Sequence, residues 1–143
     1  MSLSDIFQIS GSAMTAQTVR LNTVASNLAN AESPASSESS AYKARSPVFA
    51  AVYHNSLVAE DRHDITGASV AVADVVTTGG AVSRYEPHNP LADNSGNVWY
   101  PDINVGEQMA DMTSASRNFE TDVDVLNNVK SMQQSLLKLG ENV

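Results

Sequence analysis

The stretch RLNTVASNLANAESP, residues 20–34, combines helical spacing of apolar residues with a polar side that lacks charge. On a helical wheel, Leu21, Val24 and Leu28 gather on one side, while amides and hydroxyls occupy the other side. No charged residue follows the initial arginine until the glutamate near the end of the stretch. The stretch therefore predicts a helix with one apolar side and one neutral side.

The neutral side of this helix is suited to contact with other protein. Helix surfaces that face water usually carry Lys and Glu, because these residues are costly to bury. Amide and hydroxyl groups can be buried when each one is hydrogen-bonded. We therefore expect Asn27 and Asn30 to face neighbouring subunits, while the apolar side packs within the chain. The alternative is a small helix whose neutral face is simply solvated.

Residues 1–32 carry an apolar repeat that extends this helix toward the amino terminus. The repeat indicates one helical seam, and Val24 is offset from it by three or four positions. Because Ser, Thr and Asn are poor helix formers, the isolated helix would be marginal in water. The residues at seven-residue spacing are Phe7, Met14, Leu21 and Leu28.

Residues 105–143 are predicted to form a second long helix. No glycine or proline interrupts residues 107–139, and Gly106 and Gly140 flank that run. A seam with the same spacing indicates that this helix pairs with the first one as a coiled coil, or with helices of neighbouring copies. The residues expected to make these contacts are Met112, Phe119, Val123 and Leu126.

The middle of the chain is predicted to be a small β-rich domain that follows a linker. Residues 33–41 contain a proline and a run of serines, which favour a flexible, solvated connection. Residues 42–104 contain short runs of Val, Ala and aromatic residues, separated by turn signals at Gly79–Gly80 and at 94–97. The polar residues 54–68 are expected to form a loop or a partly ordered excursion. The predicted fold class is α+β, with a long helix at each end.

Composition excludes several classes of function. The net charge of -8 repels polyanions, and the few basic residues form no patch, so nucleic-acid binding is not expected. There is no cysteine, which removes disulfides and thiolate metal sites. The chain shows neither a run of apolar residues long enough to span a bilayer nor a cleavable signal-peptide pattern. We therefore expect no membrane insertion, and any export must use another route.

No catalytic, cofactor-binding or metal site is predicted. His54, His63 and His88 do not stand at the spacing of known metal ligands. The chain has no GxSxG nucleophile motif and no Gly-rich phosphate loop. We therefore expect a protein that is not an enzyme and that needs no cofactor.

Three stretches of the chain carry a family resemblance. They are ISGSAMTAQTVRLNTVASNLANAES at 9–33, AYKARSPVFAAV at 41–52, and HNPLADNSGNVWYPDINVGEQMADMTSASRNFETDVDVLNNVKSMQ at 88–133. Together they resemble the bacterial flagellar axial proteins, the rod, hook and hook-associated family. The resemblance covers nearly the whole chain except residues 54–80. The chain departs from the family pattern after Asn30, where axial proteins commonly continue with two residues and then Thr-Pro-Gly-Tyr.

The resemblance implies a structural role in the flagellum. It implies terminal helices that pair in the inner tube, a small outer β-rich domain, and export through the flagellar type III apparatus without signal cleavage. The implied partners are other rod subunits, copies of the chain itself, and ring and export-apparatus proteins of the basal body. The implied location is the periplasmic rod in the cell envelope. The resemblance also implies that the protein is needed for motility.

The implied mechanism is polymerisation. Heterologous contacts that do not close into a ring extend as a helical assembly, and the terminal helices would provide these contacts. The alternative from a different class is a non-flagellar helical adapter or scaffold that binds a partner helix in a groove.

Overall fold

The computed structural model describes residues 3–55 and 65–141, and it places a long helix at each end of four strands. The strands β1 and β2 form one two-stranded sheet, and β3 and β4 form another. The predicted α+β class with helices at both ends is confirmed. The elements in chain order are α1 (Leu3–Asn30), β1 (Ala44–Asn55), β2 (Ile65–Thr78), β3 (Ala81–Tyr85), β4 (Asn97–Pro101) and α2 (Val105–Glu141).

The chain divides into two compact units. The first unit comprises Met1–Val19, Phe49–Ala73 and Ala115–Val143, and the second comprises Arg20–Val48 and Asp74–Ser114. Each unit therefore combines segments that are distant in the sequence. The division into consecutive domains that the sequence suggests stays a prediction.

The buried face of α1 consists of small and polar residues rather than large apolar ones. Of the residues predicted to form its seam, Val24 is buried, whereas Met14, Leu21 and Leu28 are half-buried and Phe7 is exposed. The prediction that the large apolar residues form the internal side is therefore only partly correct, because the helix is turned toward its smaller residues. The buried residues of α1 are Ser10, Ala16, Thr23, Val24 and Asn27.

Hydroxyl groups on the exposed side of α1 are used within the helix itself. The Thr15 hydroxyl donates to the Gly11 carbonyl at 3.0 Å, and the Thr18 hydroxyl donates to the Met14 carbonyl at 2.9 Å. Such bonds to the preceding turn satisfy a hydroxyl without water. These two exposed hydroxyls are therefore already partnered within α1.

The serine-rich segment after α1 is hydrogen-bonded to the second sheet. The Ala35 N–H donates to the Trp99 carbonyl at 2.8 Å, and the Trp99 N–H donates to the Ala35 carbonyl at 3.0 Å. Ala41 is buried, and the hydroxyls of Ser37 and Ser40 bond to each other at 2.7 Å. The segment is therefore hydrogen-bonded to β4 at Ala35, while most of its residues are exposed, and its role as a flexible linker stays a prediction.

The strands β3 and β4 form an antiparallel pair whose register joins Ala81 to Pro101 and Tyr85 to Asn97. Both predicted turn signals are confirmed. Gly79 has a φ of 81° and Gly96 has a φ of 80°, which is a backbone conformation that side chains with a Cβ rarely adopt. At the middle of β4, Val98 is fully buried.

The polar stretch 54–68 was expected to be a loop, and the strands extend into it from both sides. β1 continues to Asn55, and β2 begins at Ile65. At these two ends the structure has strand instead of a loop, because the strands continue beyond the apolar part of the sequence. The remaining residues of the stretch, 56–64, lie outside the described residues, as does His63.

The start of α2 is capped by the side chain of Asn104. Its Oδ1 accepts a hydrogen bond from the Glu107 N–H at 3.2 Å, which satisfies one of the free N–H groups at the beginning of a helix. Further along, Ala115 and Val129 are buried, whereas residues 130–140 are exposed. The last three turns of α2 therefore make little contact within the chain.

Candidate functional site

Asn27 lies at the centre of a buried hydrogen-bond network in the second compact unit. Its side chain is 1% exposed. Its Nδ2 donates to the Arg45 carbonyl at 2.8 Å and to the Gln108 Oε1 at 2.9 Å. Its Oδ1 accepts from the Arg45 N–H at 2.9 Å and from the Tyr42 hydroxyl at 3.0 Å. The carboxamide therefore uses both of its donors and both of its acceptor positions.

The position of Asn27 corrects the expectation drawn from the helical wheel. We expected the amides of Asn27 and Asn30 to face neighbouring subunits, but Asn27 is buried against its own chain. Asn30 is half-buried, and its Nδ2 donates to the Ser26 carbonyl within α1 at 2.8 Å. The wheel identifies the neutral side correctly, but the partners that bury part of it come from distant segments. Roles of these two residues in assembly stay predictions.

Two further contacts surround the Asn27 network. The hydroxyls of Ser26 and Tyr42 lie 3.1 Å apart, and the Arg45 guanidinium carbon lies 5.9 Å from the centre of the Tyr42 ring. An ion pair between Arg20 and Asp111 also joins α1 to α2, with Nε to Oδ2 at 3.3 Å. Both side chains of this pair are partly exposed, so it contributes about 1 kcal/mol or less. The hydrogen bonds of the buried Asn27 carboxamide are therefore the main polar contacts at this end of α1.

The predicted contact residues of the two helices occupy different environments. Met14, Leu21 and Leu28 on α1 are half-buried, as are Phe119, Val123 and Leu126 on α2, whereas Phe7 and Met112 are exposed. In the second unit, α1 and α2 meet through the polar pairs of Arg20 with Asp111 and Asn27 with Gln108. Pairing of the helices through an apolar coiled-coil seam stays a prediction.

An apolar row runs along the carboxyl-terminal half of α2, and we call it the α2 row. Its residues alternate four and three positions apart, which is the spacing of a coiled-coil seam. Val129 is buried, while Met132, Leu136 and Leu139 are 58%, 56% and 67% exposed. The α2 row consists of Val125, Val129, Met132, Leu136 and Leu139.

The α2 row extends beyond the contact residues predicted from the sequence. The predicted seam through Phe119 and Leu126 continues at Gln133 and Gly140, so the α2 row is a separate apolar row that begins one residue before Leu126. Neutral residues, Asn128, Ser131 and Ser135, border the row on one side. A neighbouring helix could therefore cover the row without burying a charge.

A polar cluster on the second sheet stabilises the turn between β3 and β4. The Tyr100 hydroxyl donates to the two Glu86 carboxylate oxygens at 3.1 and 3.2 Å, and the Asn89 amide donates to the same carboxylate at 2.9 Å. The Arg84 guanidinium carbon lies 4.5 Å from the centre of the Tyr100 ring. Burial and the bond to Glu86 raise the pKa of Tyr100.

Across residues 3–55 and 65–141, no group of three or more His, Asp or Glu residues is placed to hold a metal ion. Within the same two ranges, no helix is both long and apolar enough to cross a membrane.

Two protein families match the ends of the chain. The family described as "Flagella basal body rod protein" matches residues 7–34, which lie in α1 and the turn after it. The family described as "Flagellar basal body rod FlgEFG protein C-terminal" matches residues 94–139, which cover β4 and most of α2. The matched segments therefore contain Asn27, its partner Gln108 and the α2 row.

Several relatives are similar to the chain over its full length. The flagellar basal-body rod protein FlgC of Escherichia coli O6:H1 is 44% identical over 142 residues, covering 99% of this chain and 100% of the relative. FlgC of Salmonella typhimurium is 42% identical over 142 residues, with the same coverage. FlgC of Buchnera aphidicola subsp. Schizaphis graminum is 34% identical over 145 residues, again with the same coverage.

These matches decide between the two interpretations of the sequence. The expected resemblance to flagellar axial proteins is confirmed, and the matches give no support to a non-flagellar adapter. The expectation that the protein is not an enzyme is also confirmed, because its relatives are structural proteins of the rod. The chain therefore belongs to the FlgC family of flagellar basal-body rod proteins, and it is a structural subunit of that rod.

Proposed function

We propose that this rod subunit polymerises through its two terminal helices in the proximal part of the rod, and that the α2 row is a contact between subunits. The observation that supports the proposal is the exposure of Met132, Leu136 and Leu139 at coiled-coil spacing. Soluble proteins rarely leave such a continuous apolar surface exposed unless another protein covers it.

The α2 row offers a substantial free energy of association. Burying a fully exposed side chain of this size contributes about 1.5–3 kcal/mol. Since three residues of the row are more than half exposed, covering them contributes on the order of 4 kcal/mol before the entropic cost of association. A contact of this strength is weak for one pair of subunits and becomes effective when it is repeated through an assembly.

A second apolar surface on α1 provides a partner of matching chemistry. Phe7 is 37% exposed, and Met14 and Leu21 are half-buried at the same seven-residue spacing. No charged residue stands between Asp5 and Arg20. Because the α1 surface and the α2 row are different surfaces, contact between them is heterologous and extends as a helical assembly if it does not close. Pairing of terminal helices as a coiled coil belongs to the same proposal.

We further infer how the protein reaches the rod and which proteins surround it. The proposed route is the flagellar type III apparatus without cleavage of a signal peptide, and the proposed site is the periplasmic rod. The proposed partners are other rod subunits, copies of the chain, ring proteins of the basal body and proteins of the export apparatus. Membership of the FlgC family supports these inferences, as does the low intrinsic helix stability of α1, which suits passage in an unfolded state.

The proposal is tested by placing charge on the α2 row. In Leu136→Lys with Leu139→Lys, two exposed apolar side chains become charged, so the isolated chain should keep its thermal stability. Assembly should fail, because covering the row would now bury two unpaired ammonium groups. The measurement is swimming in soft agar by a strain that lacks its own FlgC, together with the amount of protein made.

The matched control places the same two charges on another side of the same helix. Asn127 and Gln134 are exposed and lie opposite the α2 row on a helical wheel. The variant Asn127→Lys with Gln134→Lys should therefore restore swimming. If the variant at Leu136 and Leu139 swims as well as this control, the α2 row is not an assembly contact.

A further inference from the structure

The hydrogen bonds of Asn27 are those of a peptide group in a β-sheet. The Arg45 N–H donates to Oδ1 at 2.9 Å, and the Arg45 carbonyl accepts from Nδ2 at 2.8 Å. A residue in an antiparallel ladder exchanges the same two bonds with the residue opposite it. The carboxamide of Asn27 therefore occupies the place of a neighbouring strand beside the second residue of β1.

The other two bonds of Asn27 reach two further segments. The Tyr42 hydroxyl, just before β1, donates to Oδ1 at 3.0 Å, and the Gln108 Oε1, in the first turns of α2, accepts from Nδ2 at 2.9 Å. One side chain of α1 is thus bonded to both β1 and α2. Because only 1% of its surface is exposed, water cannot replace a partner that is lost.

From this geometry we propose that Asn27 is a conformational latch, which makes order at the end of α1 depend on the docking of both β1 and α2. Residues 21–30 contain Asn, Ser and Thr and form a marginal helix on their own. Undocking of either partner leaves a buried polar group of Asn27 unpaired, so the two docking events favour each other. The latch acts within one chain and does not rest on the proposed assembly contacts.

Hydrogen exchange of the purified full chain tests the latch. The variants are Gln108→Ala, Tyr42→Phe and Asn27→Ala. Loss of a partner from a buried polar group changes an opening equilibrium about tenfold. In Gln108→Ala we therefore expect about tenfold faster exchange of the amides in residues 21–30 and of the Arg45 amide, although the changed residue lies in α2. Tyr42→Phe should accelerate the same amides.

Two internal comparisons separate a latch from a general loss of stability. Asn30→Ala removes an amide whose bonds are local, to the Ser26 carbonyl and from the Ser33 hydroxyl, so β1 should exchange at its normal rate. The amides of β3 should also keep their rates in every variant. Equal acceleration in β3, or acceleration in Gln108→Ala that is confined to α2, would overturn the proposal.

The test does not require every variant to fold. Asn27→Ala removes all four bonds at once and could prevent folding. Gln108→Ala and Tyr42→Phe each leave three of the four bonds of Asn27 in place, so these two variants decide the question by themselves. Swimming is not measured, so a failure of the latch is distinct from a failure of the proposed assembly contact.

Discussion

At the scale of single residues, Asn27 shows that a buried neutral amide can be more sensitive to substitution than a charged surface residue. Each of its four bonds joins it to a group on another segment of the chain, so a substitution affects both sides of the bond. Lysine at this position would place an ammonium group against the Arg45 N–H and leave the Tyr42 hydroxyl without its acceptor.

We therefore expect Asn27→Lys to lower the free energy of unfolding of the isolated chain by about 3 kcal/mol or more, since it buries a charge without a partner. Urea unfolding followed by circular dichroism measures the change. The control is Asn30→Lys. The amide that it replaces is half-buried and donates its hydrogen bond within its own helix, so this change should lower the free energy of unfolding much less. Equal midpoints for the two variants would contradict the buried position of Asn27.

Gly96 gives a second expectation at this scale. Its φ of 80° disfavours any residue with a Cβ, and a Cβ there would lie 2.9 Å from Cε2 of Tyr85 and 3.3 Å from Cβ of Pro87. Gly96→Ala should therefore destabilise the chain by about 1–3 kcal/mol. Gly80→Ala is the control, because no atom lies within 4 Å of its added Cβ. Thermal unfolding of the two variants side by side checks this difference.

At the scale of elements, the start of α2 is stabilised by a local contact, and the segment after α1 is stabilised by a distant one. The start of α2 depends on its cap, a contact between residues three apart. The segment after α1 instead depends on the backbone pairing of Ala35 with Trp99 in β4. The cap is a signal that local sequence contains, whereas the backbone pairing requires the folded chain.

We expect Asn104→Ala to destabilise the protein by about 1 kcal/mol, because it removes the side-chain acceptor of the Glu107 N–H. Urea unfolding measures the loss. Asn118→Ala, an exposed change within α2, should leave stability unchanged or raise it slightly, since alanine has the higher helix propensity. An Asn104→Ala variant as stable as Asn118→Ala would show that the cap contributes nothing.

At the scale of the whole molecule, the exposed α2 row is the proposed contact between subunits. Residues 130–140 are exposed in the single chain, and the apolar residues among them need a neighbour in order to be covered. This distribution suits a subunit that stays soluble alone and associates when several weak contacts form together at a growing end.

We therefore expect the purified protein to be monomeric or weakly associated. Sedimentation velocity over a wide concentration range measures its state. Any weak association that depends on the α2 row should disappear in Leu136→Lys with Leu139→Lys. A tight oligomer that this variant leaves intact would show that another surface dominates self-association.

The amino-acid sequence by itself determined the class of the fold, the order of its elements and the family. Helical spacing, the glycines at Gly79 and Gly96, and the cap at Asn104 act over a few residues, so local sequence contains the information that they need. The family resemblance combined such local signals over most of the chain. The α2 row is equally local, because its four-three spacing from Val125 to Leu139 can be read from the sequence, but it lies one residue away from the predicted seam.

Only the tertiary structure decided which side of α1 is buried. The partners of Asn27 lie 15, 18 and 81 residues away in the sequence, and no periodicity within α1 indicates where they will dock. The same is true of Ala35, which becomes structured because β4 reaches it. A neutral amide can form hydrogen bonds with water or with protein groups, so its residue type does not decide whether it is exposed or buried. In the folded chain Asn27 is buried, because all four of its hydrogen bonds are made there.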